Sequence, residues 1–337
     1  MGGFVRNGTS SFNTVNVFSS SKLNISGGIS GGRVTNDGIS MNNSVNVYGN
    51  ITTQGNVDIS GGYVHGDGSA DSNRVNISGN IEAKGNLIIY GGNVNGGGSS
   101  NDNRVNISGN IEAKGDLAIC GGNVNGGGSS NDNRVNISGN IEAKGNLTIY
   151  GGHVNGGGSS NDNRVNISGN IESEGNIFIV GAEAEHTAGN IVSISGKIAH
   201  TEISTKTVTI IAGSEASKSG VNNKVIIYET AEIPNTCILY GNLEDIQGDG
   251  NSLEIFFNKM LEVRTVGRFQ NYKFTLLEGI KAGDTILSFY DSDAWDTSFN
   301  VEDVDIKILL SPKTGLNVGD KVLMHCDRGF EGSVSSV

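Results

Sequence analysis

The chain has 337 residues, 52 of them Gly and only 2 Pro, with 6% aromatic and 17% charged residues and a net charge of −12. That acidic balance disfavours nucleic-acid phosphates and anionic lipid headgroups as partners. The three cysteines (Cys120, Cys237, Cys326) form no CxxC pair, so neither a disulfide framework nor a zinc site is expected, and no run approaches the ~18 apolar residues of a membrane helix.

So much Gly, Asn and Ser would read as disorder if the apolar residues were scattered. They recur instead in alternating V-x-I and L-x-I pairs, the pattern of short strands. Residues 1–13 are read as an N-terminal extension; with one Arg and no continuous apolar stretch, the start does not resemble a signal peptide.

Residues 14–241 are read as a β-solenoid built on a 30-residue repeat. Residues 74–103 read RVNISGNIEAKGNLIIYGGNVNGGGSSNDN; 104–133 differ at three positions (Asp116, Ala118, Cys120) and 134–163 at two (Thr148, His153). The V-x-I anchor falls at Val15, Val45, Val75, Val105, Val135, Val165, Val192, Val225 and Leu253, spaced five times by 30 and then by 27, 33 and 28. A fixed period in this range marks an array in which each unit buries its apolar face only against its neighbours. The expectation is an all-β, right-handed parallel β-helix of about eight coils.

Within a coil, alternation places Val75, Ile77, Ile81, Ala83, Leu87, Ile89 and Val94 inward, and Asn76, Ser78, Glu82, Lys84, Ile88 and Tyr90 outward. The copies agree. The Leu87 and Ile89 slots stay aliphatic, whereas the Ile88 slot becomes Ala118, Thr148 and Phe178, a variation that a close-packed core does not tolerate. Corners are expected at Ser78-Gly79-Asn80, Lys84-Gly85-Asn86 and Gly91-Gly92, with Gly and Asn supplying positive φ. Gly96–Asn103 is read as the long solvated loop of a roughly triangular coil.

From about Asn242 the Gly runs vanish, Phe and Tyr become frequent and the single Trp (Trp295) appears. Strands are expected in FQNYKFTL (269–276), AGDTILSF (282–289), VDIKILL (304–310) and LNVGDKVLMHC (316–326). Residues 242–337 are therefore read as a C-terminal β-cap on the last coil.

Candidate chemistry is sparse. GGGSSNDNRV approaches a calcium nonapeptide repeat but has Ser99 where the third Gly belongs and Arg104 where the aliphatic anchor belongs, which favours a solvated loop over a calcium site at Asp102, Asp132 and Asp162. Glu82/Lys84, Glu112/Lys114 and Glu142/Lys144 should stack as a Glu column beside a Lys column, either a charged binding stripe or a self-compensating surface. Asn76, Asn106, Asn136 and Asn166 should form an amide ladder. His65, His153, His186, His200 and His325 are scattered, and the carboxylates Asp58, Asp67 and Asp71 show no singular arrangement. Catalysis needs one asymmetric constellation, whereas near-identical repeats put every side chain in a column. No catalytic, cofactor-binding or metal residue is assigned, no cofactor is expected, and the chain is not read as an enzyme.

The runs YGGNVNGGGSSNDNRVNISG and SGGYVHGDGSADSNRVNISG, followed by FQNYKFTL, KAGDTIL and LNVGDKV, resemble the passenger region of autotransporter (type V secreted) proteins, specifically the Gly/Asn-rich β-helical passengers of diderm bacteria. The resemblance covers the repeats of 14–240 and a segment at about 266–326 that is similar to the part joining β-helix to barrel. It implies a non-catalytic stalk or adhesin at the cell surface or outside the cell, associated with the outer membrane. The host surface, or a glycan or protein receptor on it, would be the partner, with no nucleic acid. The outer-membrane barrel it implies is absent from this chain, as is a leader, which leaves a truncated passenger or a separately encoded transporter. Two other classes also use stacked β-coils: a phage tail fibre or spike, and a polysaccharide-acting β-helix enzyme.

Overall fold

The V-x-I anchors stack one upon the next. Val15 pairs in parallel with Val45, and the chain of partners runs through Val75, Val105, Val135, Val165, Val192 and Val225 to Leu253. This is a computed structural model, describing residues 2–18, 23–25, 27–200, 206–213, 219–242, 250–289, 305–311, 316 and 323–326. The described residues form an all-β parallel solenoid of about nine turns, with no helix. Three long sheets of eleven, ten and seven strands make its sides. The rod they imply is roughly 43 Å long at ~4.8 Å per turn.

Side-chain alternation explains the closure. Val75, Ile77, Ile81, Ala83, Leu87, Ile89 and Val94 are all buried, as are their equivalents in the next two units. Asn76, Glu82, Ile88 and Tyr90 are half-buried, while Ser78 and Lys84 are exposed. In-register parallel stacking sets residues one repeat apart over one another, and the near-identical units of 74–163 place like side chains at each such position.

The core is double. Val75, Ile77, Ile81, Leu87 and Ile89 belong to one continuous cluster along the axis. Val94 belongs to a second, smaller column with Val34, Val64, Ala70, Val124, Val154 and Ala184. Between the two columns stands a ladder of fully buried asparagines: Asn43, Asn73, Asn103, Asn133, Asn163, Asn190 and Asn223. Asn103 Oδ1 accepts the Asn73 backbone N–H at 2.9 Å; Asn103 Nδ2 donates to the Ala70 carbonyl at 2.7 Å and to Asn133 Oδ1 at 3.1 Å. Each buried amide is thereby satisfied by the coils on either side, which removes the desolvation cost an orphan would carry. A side chain at Gly92 would collide with this amide, so the Gly91-Gly92 bend lets the strand lie against the ladder.

Two expectations about the loop change accordingly. Gly96–Asn103 is not simply solvated: Ser100 and Asn103 are fully buried, and Ser69, Ser99, Ser129 and Ser159 form successive parallel bridges, giving the coil a short fourth side. Positive φ does not occur at Gly79, Gly85, Gly91 or Gly92. It occurs one residue before the buried ladder, at Asn42, Ser72, Asp102, Asp132, Asp162 and Asn222 (φ 53–57°). The glycine at Gly109 serves close stacking instead, since a Cβ there would run into the Gly79 carbonyl of the coil below.

The ends also differ from the sequence reading. Gly3–Val5 pairs with Gly32–Val34 and Gly8–Ser11 with Gly38–Met41, so residues 3–11 are part of the first coil and not an appended extension. At the other end Leu253 pairs with Tyr272, and Tyr272 with Ile306, both in parallel. The described strands of 242–337 therefore continue the solenoid, where a distinct cap had been expected. The alternation of Tyr272, Phe274 and Leu276 inward with Asn271, Lys273 and Thr275 half-buried is the same pattern with larger side chains. Trp295 and the VGDKV string (318–322) lie outside the described residues.

Candidate functional site

The outward columns are what the solenoid offers a partner. On the seven-stranded face Lys84 pairs with Glu82 and Lys114 with Glu112, each within its own strand-end. Lys144 bridges Glu142 at 2.9 Å and Glu174 of the following coil at 2.6 Å. Those two hydrogen bonds, to Glu174 first, hold the Lys144 ammonium above its ordinary pKa. The Glu and Lys columns thus neutralise one another, as a self-compensating surface would.

Beside them runs a groove of about 490 Å³ along the axis, with Asn50, Asn80, Asn110, Asn140 and Asn170 on one wall and Glu82, Glu112, Glu142 and Glu172 on the other. Ile51, Ile81, Ile111 and Ile141 lie at its floor. The Asn wall is itself a ladder: the Asn110 backbone N–H donates to Asn80 Oδ1 at 3.0 Å and that of Asn140 to Asn110 Oδ1 at 3.2 Å. The groove repeats one set of donors and acceptors every coil. It can hold an extended chain in any of several equivalent registers, but it presents no unique arrangement of acid, base and nucleophile.

The other candidates are dispersed. Asp102, Asp132 and Asp162 are exposed at the left-handed corner, where a short polar side chain is tolerated, and this accounts for their recurrence. Partial desolvation, then repulsion from Asp102 and Asp162, pushes the Asp132 carboxyl above its ordinary value, with Arg134 and Arg164 opposing. Asp67 Oδ1 accepts the Gly97 backbone N–H at 2.6 Å and Asp71 Oδ1 that of Asn101 at 2.9 Å, so both cap turns of the next coil. Among the described residues no group of three or more His, Cys, Asp or Glu is placed to hold a metal.

Cys120 is buried and its thiol donates to the Gly122 carbonyl at 3.0 Å; burial pushes its pKa up, leaving an inert side chain. Among the described residues the histidines are not brought together. His153 stacks on Tyr150 with ring centroids 5.0 Å apart, its Nδ1 lies 2.6 Å from Asn123 Oδ1 and its Nε2 3.8 Å from Glu183. Desolvation favours its neutral form, against the pull of Glu183. His65 faces Asn95, and the side chain of His325 lies outside the described residues.

The expected outer amide ladder is present: Asn76, Asn106, Asn136 and Asn166 each donate from Nδ2 to Oδ1 of the preceding coil at 2.8 Å. Two features escaped the sequence reading. One is the buried ladder through Asn103, hidden in a segment whose composition reads as loop. The other is a column of Arg74, Arg104, Arg134 and Arg164, successive partners on the eleven-stranded sheet. Its signal was there, as one Arg immediately before each of the four central anchors Val75, Val105, Val135 and Val165. No family model matches the chain, and no curated protein or solved structure is found to be similar to it.

Proposed function

We propose that this chain is a non-catalytic rod displayed at a bacterial cell surface or secreted from it, a passenger segment of the autotransporter type acting as stalk or adhesin. The observation that carries this reading is the equivalence of the coils. Three near-identical units stack in register over a continuous core and present nearly the same outward side chains at each level, the Arg, Asn, Ser, Glu and Lys columns being unchanged across them. Equivalent sites along a rod suit weak, multivalent contact, whose avidity grows with the number of sites engaged. A stalk gains reach from each added coil without any new packing solution.

Fluorescent antibody against the 74–163 repeats, applied to intact cells carrying the native gene, tests this directly. Labelling before permeabilisation, lost on brief protease treatment of whole cells, is the expected result. Signal that appears only after the cells are opened would refute surface display.

A further inference from the structure

The outer face of the eleven-stranded sheet carries three parallel columns, set two residues apart along each strand. The first is Arg74, Arg104, Arg134 and Arg164, half-buried to exposed. The second is the outer Asn ladder. The third is Ser78, Ser108, Ser138 and Ser168, each hydroxyl donating to a carbonyl of the coil below at 3.3–3.5 Å.

None of the ion pairs among the described residues engages these four arginines. Like charges thus recur at ~4.8 Å on an otherwise acidic molecule. On one flank stands the ridge of Asp102, Asp132 and Asp162, two residues upstream; on the other lie the Asn and Ser columns. The Asp ridge relieves the arginines in part and repels an anion approaching from its side.

The third column ends in stacked aromatic pairs in both directions. Phe18 and Tyr48 lie with centroids 4.8 Å apart and planes 10° from parallel, and Tyr228 and Phe256 at 5.3 Å and 14°. Phe18 is 72% and Tyr48 53% exposed. Tyr48 and Tyr228 are six pairing steps apart, about 29 Å.

We infer that this face binds an extended, carboxylate-bearing polysaccharide laid along the solenoid axis. Each requirement of such a ligand has its counterpart. A guanidinium presents planar paired donors that match a carboxylate, and one stands at every level of the four central coils. An Asn amide has two donors and two lone pairs; the ladder uses one of each, leaving one of each for sugar hydroxyls. Exposed aromatic rings offer flat apolar platforms to the C–H faces of sugar rings at the two ends. A nucleic-acid strand would find phosphate partners but, on this face between the two end pairs, no aromatic rings on which to stack its bases. The inference rests on the adhesive reading above and gives it a partner class.

The test uses the full chain and polygalacturonate, with binding measured by biolayer interferometry at low salt. Arg104→Ala, Arg134→Ala and Arg164→Ala combined should weaken binding about tenfold, and Arg134→Ala alone about twofold. The single variant serves if the triple one has lost its strand signal in circular dichroism. Asp132→Asn should tighten binding. Lys84→Ala, Lys114→Ala and Lys144→Ala combined make the same change in net charge on another face and should leave binding unchanged. Neutral dextran should not bind, and single-stranded DNA should bind more weakly than polygalacturonate.

No binding of polygalacturonate by the unaltered chain, or equal loss from the Lys and Arg variants, would overturn the proposal. Single-stranded DNA binding as tightly as the polysaccharide would overturn it too, as a general polyanion surface. Binding by purified protein is independent of where the cell places the chain. Failure here with surface labelling intact therefore rejects only the polysaccharide. Success here with the chain confined inside the cell rejects only the adhesive display.

Discussion

Replacing the buried Asn133 by Ala should destabilise the rod far more than the same change at Asn136, three residues away on the same coil. Asn133 Oδ1 accepts the Asn103 backbone N–H at 2.9 Å and Asn103 Nδ2 at 3.1 Å; its own Nδ2 donates to the Ser100 carbonyl at 2.9 Å and to Asn163 Oδ1 at 3.0 Å. Truncation leaves the Asn103 N–H without an acceptor, in a position with no access to solvent. It also strips the Ser100 carbonyl of its shorter donor, leaving Ser130 Oγ at 3.5 Å. An orphaned buried group costs about 1–3 kcal/mol, so the Asn103 N–H together with the weakened bond to the Ser100 carbonyl gives roughly 2–4 kcal/mol. Asn136 makes two ladder bonds at 2.8 Å, donating to Asn106 Oδ1 and accepting from Asn166 Nδ2, on a half-exposed face where water replaces both partners, and their loss should cost about 1 kcal/mol or less. Urea unfolding followed by circular dichroism at the strand minimum compares the two. Because a stack can open coil by coil, the midpoints of matched variants are the quantity to compare. Equal midpoints, or a larger loss for Asn136→Ala, would refute the claim that the buried ladder ties adjacent coils together.

The inward and outward assignments carry a similar contrast: Ile107→Asp places a carboxylate in the main core and should unfold the central coils at a cost of several kcal/mol, whereas Ala118→Asp on the half-buried outer side should melt close to the unaltered chain. Thermal melts of both check it, and coincident curves would count against the assignment. The raised carboxyl of Asp132 means that the folded state binds its proton more readily than the unfolded chain does. The penalty is therefore present above the folded pKa and disappears as pH falls below the ordinary carboxylate range. Asp132→Asn should accordingly raise the melting temperature slightly at neutral pH and leave it unchanged in acid; the reverse order would contradict the repulsion between neighbouring Asp residues. Since the Asp102, Asp132 and Asp162 corner is explained by its left-handed backbone, EGTA should leave the strand signal intact, and a collapse on chelation would make these residues calcium ligands.

How far the fold could be read in advance differs by region, for physical reasons. All nine V-x-I anchors from Val15 to Leu253 pair as partners, because a parallel stack of like repeats has one natural register. The two later anchors, Tyr272 and Ile306, were hidden by a change of side-chain size and by steps of 19 and 34 residues in place of 30. Asn103 was hidden because polar residues among glycines read as solvated, and its burial is possible only once neighbouring coils supply its partners. The arginine column was missed because a linear reading meets one Arg at a time; charge density on a solenoid is a property of the stack. The groove of Asn and Glu follows from columns that the repeat predicts, but its concavity depends on how the sides meet at a corner, which alternation alone does not define.

The central claim is that the coils are interchangeable rungs of a single rod. Inserting three further copies of residues 104–133 after Asn133, and comparing the pair-distance distributions from small-angle X-ray scattering, tests it most directly. The rod should lengthen by about 14 Å, at ~4.8 Å per coil, with its cross-section unchanged. An unchanged length with a thicker cross-section, or a chain that no longer folds, would contradict the account.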